Sequence, residues 1–411
     1  MGNCVCKSLD RNRVKENTVS RNGCRGMRDL RVFPGDEGIR KSFEDHTSEA
    51  ETVMDCQKRA CEKKGIHRED IIERAENKSG LSLNGGPDLC LYTVTWNMNS
   101  KVACHDLLKL LGGERGTFDF YVVGLQEAPK VDIASSVLKV LGPNYSLVKA
   151  AVMQSLRLYI FGRKCWDPFV RDVKVDRIRG GGLGSVVGRQ KGAVAISFSF
   201  MHTSFLFISC HLAPHEGNVD ERNSQYKHIG QTIFSKSCRK IQSPSCLQSP
   251  NRLIRPSWLK KERKTIHPNS LERSDVVVWL GDLNYRIEGS RRLVGSLINE
   301  NLQQLRAQDQ LSREANKGEI FHRFFEGPLS FPPTYKYDIG TDDYDTSTKK
   351  RIPSWTDRIL YRINSPGNIK AHVEDYDCID SIKASDHRPV KSHLCLKFRR
   401  PLVDRLQSTT A

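Results

Sequence analysis

The stretch "DVVVWLGDLNYRIEG", Asp275 to Gly289, runs an apolar segment, Val276 to Leu280, straight into Gly281, Asp282, Leu283 and Asn284. That segment is short, β-branched and aromatic, and bounded by polar residues, so it reads as a core strand. Side chains at i and i+2 of an extended chain share a face, so Asp282 and Asn284 point the same way. A buried carboxylate is costly unless something pairs it. The strand end is therefore either a turn satisfied by local hydrogen bonds or one wall of a functional site.

Recurrence favours the site. From Leu89 onward short apolar strands follow one another: "LCLYTVTWN", "FDFYVVGLQE", "SLRLYIFGR", "KGAVAISFSF", "SFLFISCHLAP", "DVVVWLGDLN", "RILYRI" and "PVKSHLCLKF". Strands at this density, with helices between only some of them, predict an α+β sandwich of two mixed sheets. Several strands end, or begin, on a residue competent for metal or acid–base chemistry. Asn97, Glu127, His211 and Asp282 close strands, while Asp357 opens one and Asp386 with His387 precedes another. These ends are expected to converge on one edge of the sandwich.

Oxygen ligands without a cysteine cluster suit Mg²⁺, a hard cation that keeps waters for substrate phosphate oxygens, and Glu127 is the first choice of ligand. An aspartate can orient or deprotonate a water for in-line attack on phosphorus, and Asn and His can donate to the oxygens where charge develops. The chemistry indicated is phosphoester hydrolysis.

Composition agrees in sign. The 411 residues are 38% apolar and 27% charged with a net charge of +17, which biases the protein toward phosphates, nucleic acid or anionic lipid. Thirteen cysteines without C-x-x-C pairing, and no secretory segment, predict reduced thiols in the cytosol. No apolar run approaches the roughly 18 residues of a membrane-spanning helix. Residues 1–86 read as a polar tail and linker, 87–400 as the folded catalytic domain and 401–411 as a C-terminal tail. Within the domain, 236–273 is a loop-like insertion with ten Lys or Arg against two Glu. It is either a solvated loop or a contact to anionic lipid.

"WLGDLNYRI" (279–287) and "RIPSWTDRIL" (351–360) resemble the two signature motifs of the inositol polyphosphate 5-phosphatases. "WN", "GLQE", "CHLAPHE" and "SDHRPV" stand in that family's order, and the tail-plus-domain layout is similar to plant members. The resemblance implies a DNase I-like four-layered α/β sandwich and Mg²⁺-dependent removal of the 5-phosphate from inositol phosphates or phosphoinositides. By the same resemblance Glu127 holds Mg²⁺ with Asn97 nearby, and Asp386 lies beside the metal. Asp282 positions and deprotonates the attacking water, and Asn284 holds the scissile phosphate. His387, oriented by Asp357, contacts phosphate or transfers a proton, and His211 donates to the phosphate or leaving oxygen. The resemblance does not decide which of Asp282 and His387 is the base, and His215 is a candidate supporting residue. Arg358 serves either as a structural ion pair or as a phosphate contact.

Between the signatures, "PTYKYDIGTDDYDTSTKKR" (333–351) resembles the segment that reads a neighbouring 4-phosphate, with Tyr335, Lys336 and Lys349 at its matching positions. Lys191 follows a Gly-rich loop similar to one near the 1-phosphate, although Gln190 departs from the commoner Asn. A nuclease of the same fold is disfavoured by the "PSWTDRIL" signature and by a basic insertion that holds only Trp258 as an aromatic, so nucleic acid is not an expected partner. A non-catalytic lipid-binding scaffold is disfavoured because every candidate catalytic residue is present. The start "MGNCVCKSL" offers Gly2 for myristoylation and Cys4 and Cys6 for palmitoylation, although Cys6 stands where Ser or Thr is usual. The expectation is a monomer in the cytoplasm, peripherally held at the plasma membrane. It would act on phosphatidylinositol 4,5-bisphosphate and the 3,4,5-trisphosphate, with soluble inositol 1,4,5-trisphosphate as the alternative.

Overall fold

The computed structural model describes residues 88–101, 104–112, 118–180, 191–235 and 269–398. The acylation candidates Gly2, Cys4 and Cys6, the tails, the Gly-rich loop 181–190 and the insertion up to residue 268 lie outside the described residues. Twelve strands are present among them: β1 (Asp88–Asn97), β2 (Phe120–Gln126), β3 (Tyr145–Met153), β4 (Leu156–Arg163), β5 (Val170–Arg179), β6 (Gly192–Phe200), β7 (Thr203–His211), β8 (Val276–Asp282), β9 (Phe325–Glu326), β10 (Asp357–Ile363), β11 (Ile369–Cys378) and β12 (Val390–Phe398). They form two six-stranded sheets, ordered β11-β12-β1-β2-β4-β3 and β5-β6-β7-β8-β10-β9.

Both sheets are mixed. The β1–β2 and β7–β8 pairs are parallel, and the remaining neighbours are antiparallel. Strands β2 and β8 are buried at every position, as a near-continuous apolar run requires when both faces are covered. Between the sheets, Leu91, Phe120 and Ile160 meet Ile196, Phe207 and Val278. Outside the first sheet, Leu107 and Val137 from helices Cys104–Leu110 and Ile133–Leu141 cover Val94, Trp96 and Val123. Outside the second, Ile229 from helix Val219–Thr232 and Leu311 from helix Gln310–Asn316 cover Ile208, Val277 and Trp279. Three apolar cores thus separate four layers, helix–sheet–sheet–helix. No helix among the described residues is long and apolar enough to cross a membrane.

The sequence shows eight of these strands plainly. The other four, β3, β5, β9 and β11, are the four edge strands. β5 and β11 carry charged, half-exposed faces, β9 is only two residues long, and β3, β5 and β11 carry register shifts.

Topology explains why the strand ends converge. The C-termini of the parallel pairs place Asn97 beside Gln126, and His211 beside Asp282. The antiparallel neighbours begin at the same edge: Asp357 opens β10 opposite Asp282, and Val390 opens β12 opposite Thr95. Beneath the edge, the buried Gln126 amide donates to Ser209 Oγ at 3.3 Å and ties the two sheets together. Gly281, with φ of 141°, allows close approach just before Asp282, since a Cβ there would lie 2.0 Å from the Cys210 carbonyl oxygen.

Candidate active site

Asp282 is the centre of the edge, almost fully buried. Its Oδ2 accepts from Asn97 Nδ2 at 3.0 Å and lies 3.2 Å from His211 Nε2. Its Oδ1 accepts from the Asn284 backbone N–H at 3.1 Å. Lys191 Nζ rests against His211 Nε2. Burial opposes the charged carboxylate, but His211, His387 and Lys191 outweigh it and hold Asp282 far below the usual carboxylate range. The same burial lowers Lys191, against the pull of Asp282 and Glu127.

His387 forms the opposite wall. Its Nδ1 is 2.9 Å from Asp357 Oδ2, which also accepts from Thr334 and Thr356 hydroxyls, each at 2.9 Å. With Nδ1 so engaged, Nε2 is the nitrogen left for the site. Tyr335 covers the imidazole with ring centroids 4.4 Å apart. Burial alone would lower His387, yet Asp357, Asp282 and Asp386 raise it to about 9. Next to it Asp386 accepts from Lys336 Nζ at 2.7 Å, which links the Tyr335–Lys336 segment to the His387 loop.

Asn284, left-handed with φ of 57°, donates Nδ2 to the Leu212 carbonyl at 3.2 Å. Its Oδ1 accepts from Arg286 Nη2 at 2.6 Å, and the Arg286 guanidinium lies 4.6 Å above the Tyr335 ring. Arg286 therefore fixes which face of the Asn284 amide looks into the site. Sequence reading stopped at Asn284, although the same i, i+2 alternation carries one step further to Arg286. Thr334 and Thr356, which hold Asp357, left no spacing signal.

Glu127 follows β2 in a left-handed conformation, φ 49°, which is costly for a glutamate and typical of positions held for function. It is partly exposed, and its carboxylate makes no hydrogen bond to any described residue. Asp282, Asp357 and His387 also offer atoms within 4.8 Å of one another, and Asp357 Oδ1 is buried without a hydrogen-bond partner among the described residues. This oxygen-rich, thiolate-free donor set fits a hard divalent cation. Glu127, with Asn97 on the adjoining strand, would hold it.

Not every candidate is part of the buried edge. Arg358 is a correction to the phosphate-contact reading. It is fully buried, with Nε and Nη2 on the Glu326 carboxylate, both at 2.6 Å, and Nη1 on Asp309 at 2.9 Å. Being next to Asp357 on a strand, it faces the other way. Lys349 is exposed on its loop. His215 is exposed too, and its carbonyl, not its imidazole, is used, accepting from Arg222 at 2.6 Å.

Comparison with known proteins shows the family. Residues 94–393 match the family described as endonuclease/exonuclease/phosphatase family 2. The chain is 42% identical over 331 residues to the type IV inositol polyphosphate 5-phosphatase 11 of Arabidopsis thaliana, covering 80% of this chain and 89% of that protein. It is 33% identical to the human phosphatidylinositol polyphosphate 5-phosphatase type IV over 81% of this chain and 52% of that longer one. Among solved structures, the inositol polyphosphate 5-phosphatase domain of SPsynaptojanin, in complex with inositol (1,4)-bisphosphate and calcium ion, superposes with a TM-score of 0.62 at 30% identity. That match covers 80% of this chain and 88% of the domain. This chain has the DNase I-like fold, belongs to the endonuclease/exonuclease/phosphatase family on its inositol polyphosphate 5-phosphatase branch, and is a phosphoric monoester hydrolase.

Proposed function

We propose that the chain uses Mg²⁺ to remove the 5-phosphate from phosphatidylinositol 4,5-bisphosphate and the 3,4,5-trisphosphate, at a membrane surface and in phosphoinositide signalling. The observation that carries this reading is the buried, charged Asp282 set between His211 and Lys191 on one side and the His387–Asp357 pair on the other. Mg²⁺ held by Glu127, with Asn97 and Asp386 close by, would neutralise charge on the phosphoryl oxygens. Asp282 accepts a hydrogen bond from the attacking water and takes its proton as the new P–O bond forms and the bond to the inositol oxygen breaks. His387, held at Nδ1 by Asp357, would donate from Nε2 to a phosphoryl oxygen, with Asp282 as the base. Asn284 would donate to the same developing charge, and His211 to the phosphate or to the leaving inositol oxygen, which ends as a hydroxyl.

Tyr335, Lys336 and Lys349 would read the 4-phosphate, and Lys191, beside His211 at the edge, would contact a substrate phosphate. The double variant Lys336→Ala/Lys349→Ala is expected to lower turnover of a 4,5-bisphosphate at least tenfold more than turnover of a ligand bearing only a 5-phosphate, since each lost charge-assisted bond is worth about 1.5–3 kcal/mol. Equal loss on both ligands in parallel phosphate-release assays contradicts that assignment. The name of the human relative supports a lipid substrate, whereas the name of the Arabidopsis relative and the soluble bisphosphate in the synaptojanin domain keep soluble inositol 1,4,5-trisphosphate as the second reading. Rates on vesicles and on the soluble head group decide between them.

Membrane attachment rests on Gly2, Cys4 and Cys6, with Lys7, Arg11, Arg13 and Lys15 adding attraction to an anionic leaflet. A Gly2→Ala variant is expected to move from the membrane to the soluble fraction of cells. A variant that stays membrane-bound like the wild type refutes acylation as the anchor.

A further inference from the structure

Away from the catalytic edge, β1 and β12 bring two thiols and an imidazole together. Cys90 and Cys395 are direct cross-strand partners, with Sγ atoms 3.1 Å apart. His393 lies two residues before Cys395 on the same face of β12, and its Nε2 is 3.2 Å from Cys395 Sγ. One ligand atom from each of the three lies within 4.8 Å of the others. Cys395 is buried, while Cys90 and His393 are half-buried, so the cluster is reachable from solvent. The Phe118 ring meets the His393 ring edge-on at 4.6 Å and limits its rotation.

The register separates this cluster from the catalytic edge. The pair Cys90–Cys395 is five residues along β1 from the pair Thr95–Val390. At ~3.4 Å per residue that is roughly 17 Å. The donor sets differ as well. Carboxylate oxygens gather at the edge and suit a hard cation, whereas two thiolates and an imidazole select a borderline or soft one. Zinc–sulfur bonds of about 2.3 Å at a tetrahedral angle set the sulfurs about 3.8 Å apart, so the cysteines need to open by only ~0.7 Å. A small χ1 rotation of the less buried Cys90 supplies it. On β11 the register also sets His372 opposite Cys395, on the same face.

We propose that Cys90, His393 and Cys395 bind a zinc-class divalent ion that clips β1 to β12, as a second metal site independent of the catalytic one. Such a clip would tie together the two strands whose far ends lead to Asn97 and His387, and it does not depend on which phosphoinositide the enzyme prefers.

The full chain, reduced and stripped of metal, is to be titrated with Co²⁺ in the presence of saturating Mg²⁺. One equivalent is expected to give the visible bands of tetrahedral cobalt together with a near-ultraviolet thiolate-to-metal charge-transfer band, both abolished by Zn²⁺. The double variant Cys90→Ser/Cys395→Ser is expected to lose the charge-transfer band while it releases phosphate with Mg²⁺ at the wild-type rate, which shows that it is folded. Full-strength bands in that variant overturn the proposal, because other cysteines of the chain would then be the ligands. Absence of a charge-transfer band in the wild type overturns it too, as does conversion of the pair to a disulfide with no cobalt uptake by the reduced form.

Discussion

Replacing Asp282 by asparagine is expected to lower kcat for phosphate release by roughly 10³-fold or more, the scale of a lost general base. The substitution keeps the shape of the side chain and removes two things. One is the charge that faces His211, Lys191 and His387. The other is an acceptor. Both oxygens of Asp282 accept hydrogen bonds, one from Asn97 Nδ2 and the other from the Asn284 N–H. An amide turns one of those oxygens into a donor that faces a donor. The water-facing geometry is lost with the proton acceptor, so KM should change little beside kcat. Thermal melting within a few degrees of wild type, measured alongside, separates lost chemistry from lost structure. Wild-type turnover in this variant would show that the base lies elsewhere.

Arg358→Ala is expected to cost about 3–5 kcal/mol of stability, the range for breaking a buried ion pair and stranding its partners. Its guanidinium is enclosed by Glu326 and Asp309, and Glu326 also accepts from Tyr376 Oη at 2.7 Å. Burial opposes the charge on Arg358, but the two carboxylates raise its pKa well above the usual arginine value. Without it, two carboxylates remain in a dry pocket that joins β9, β10 and β11. Chemical denaturation should show an earlier midpoint, while the protein that stays folded keeps its wild-type KM. A normal midpoint with a raised KM would restore Arg358 as a phosphate contact.

The strands legible in the sequence are those whose burial leaves no choice of residue. Segments such as Val276–Leu280 and Phe120–Leu125 are covered on both faces, so the apolar run itself is the signal. The edge strands answer to a different requirement. β11 exposes Lys370, His372 and Glu374, and β5 exposes Arg171, Asp172 and Lys174, which protects a free edge from pairing with another chain. The bulge near Val373 and the one between Arg171 and Lys174 break the period-2 pattern as well. Charge and broken alternation therefore make an edge strand read as a loop. At the site, residues at strand ends were legible because a polar group closing a buried strand is conspicuous. Residues that act through a neighbour were not: Arg286 on Asn284, and Thr334 on Asp357, are visible only once the loops are placed. Alternation along "DRILYRI" could have assigned Arg358, since adjacent strand residues face opposite ways.

The most direct test of the central claim is product identity. Purified full-length protein is to be incubated with phosphatidylinositol 4,5-bisphosphate vesicles, with Mg²⁺ or with chelator, and the lipid products resolved by position of the remaining phosphate. One phosphate released per lipid is expected, with phosphatidylinositol 4-phosphate as the product and no release under chelator or by the Asp282→Asn variant. Formation of phosphatidylinositol 5-phosphate, or release that survives chelation, would contradict it.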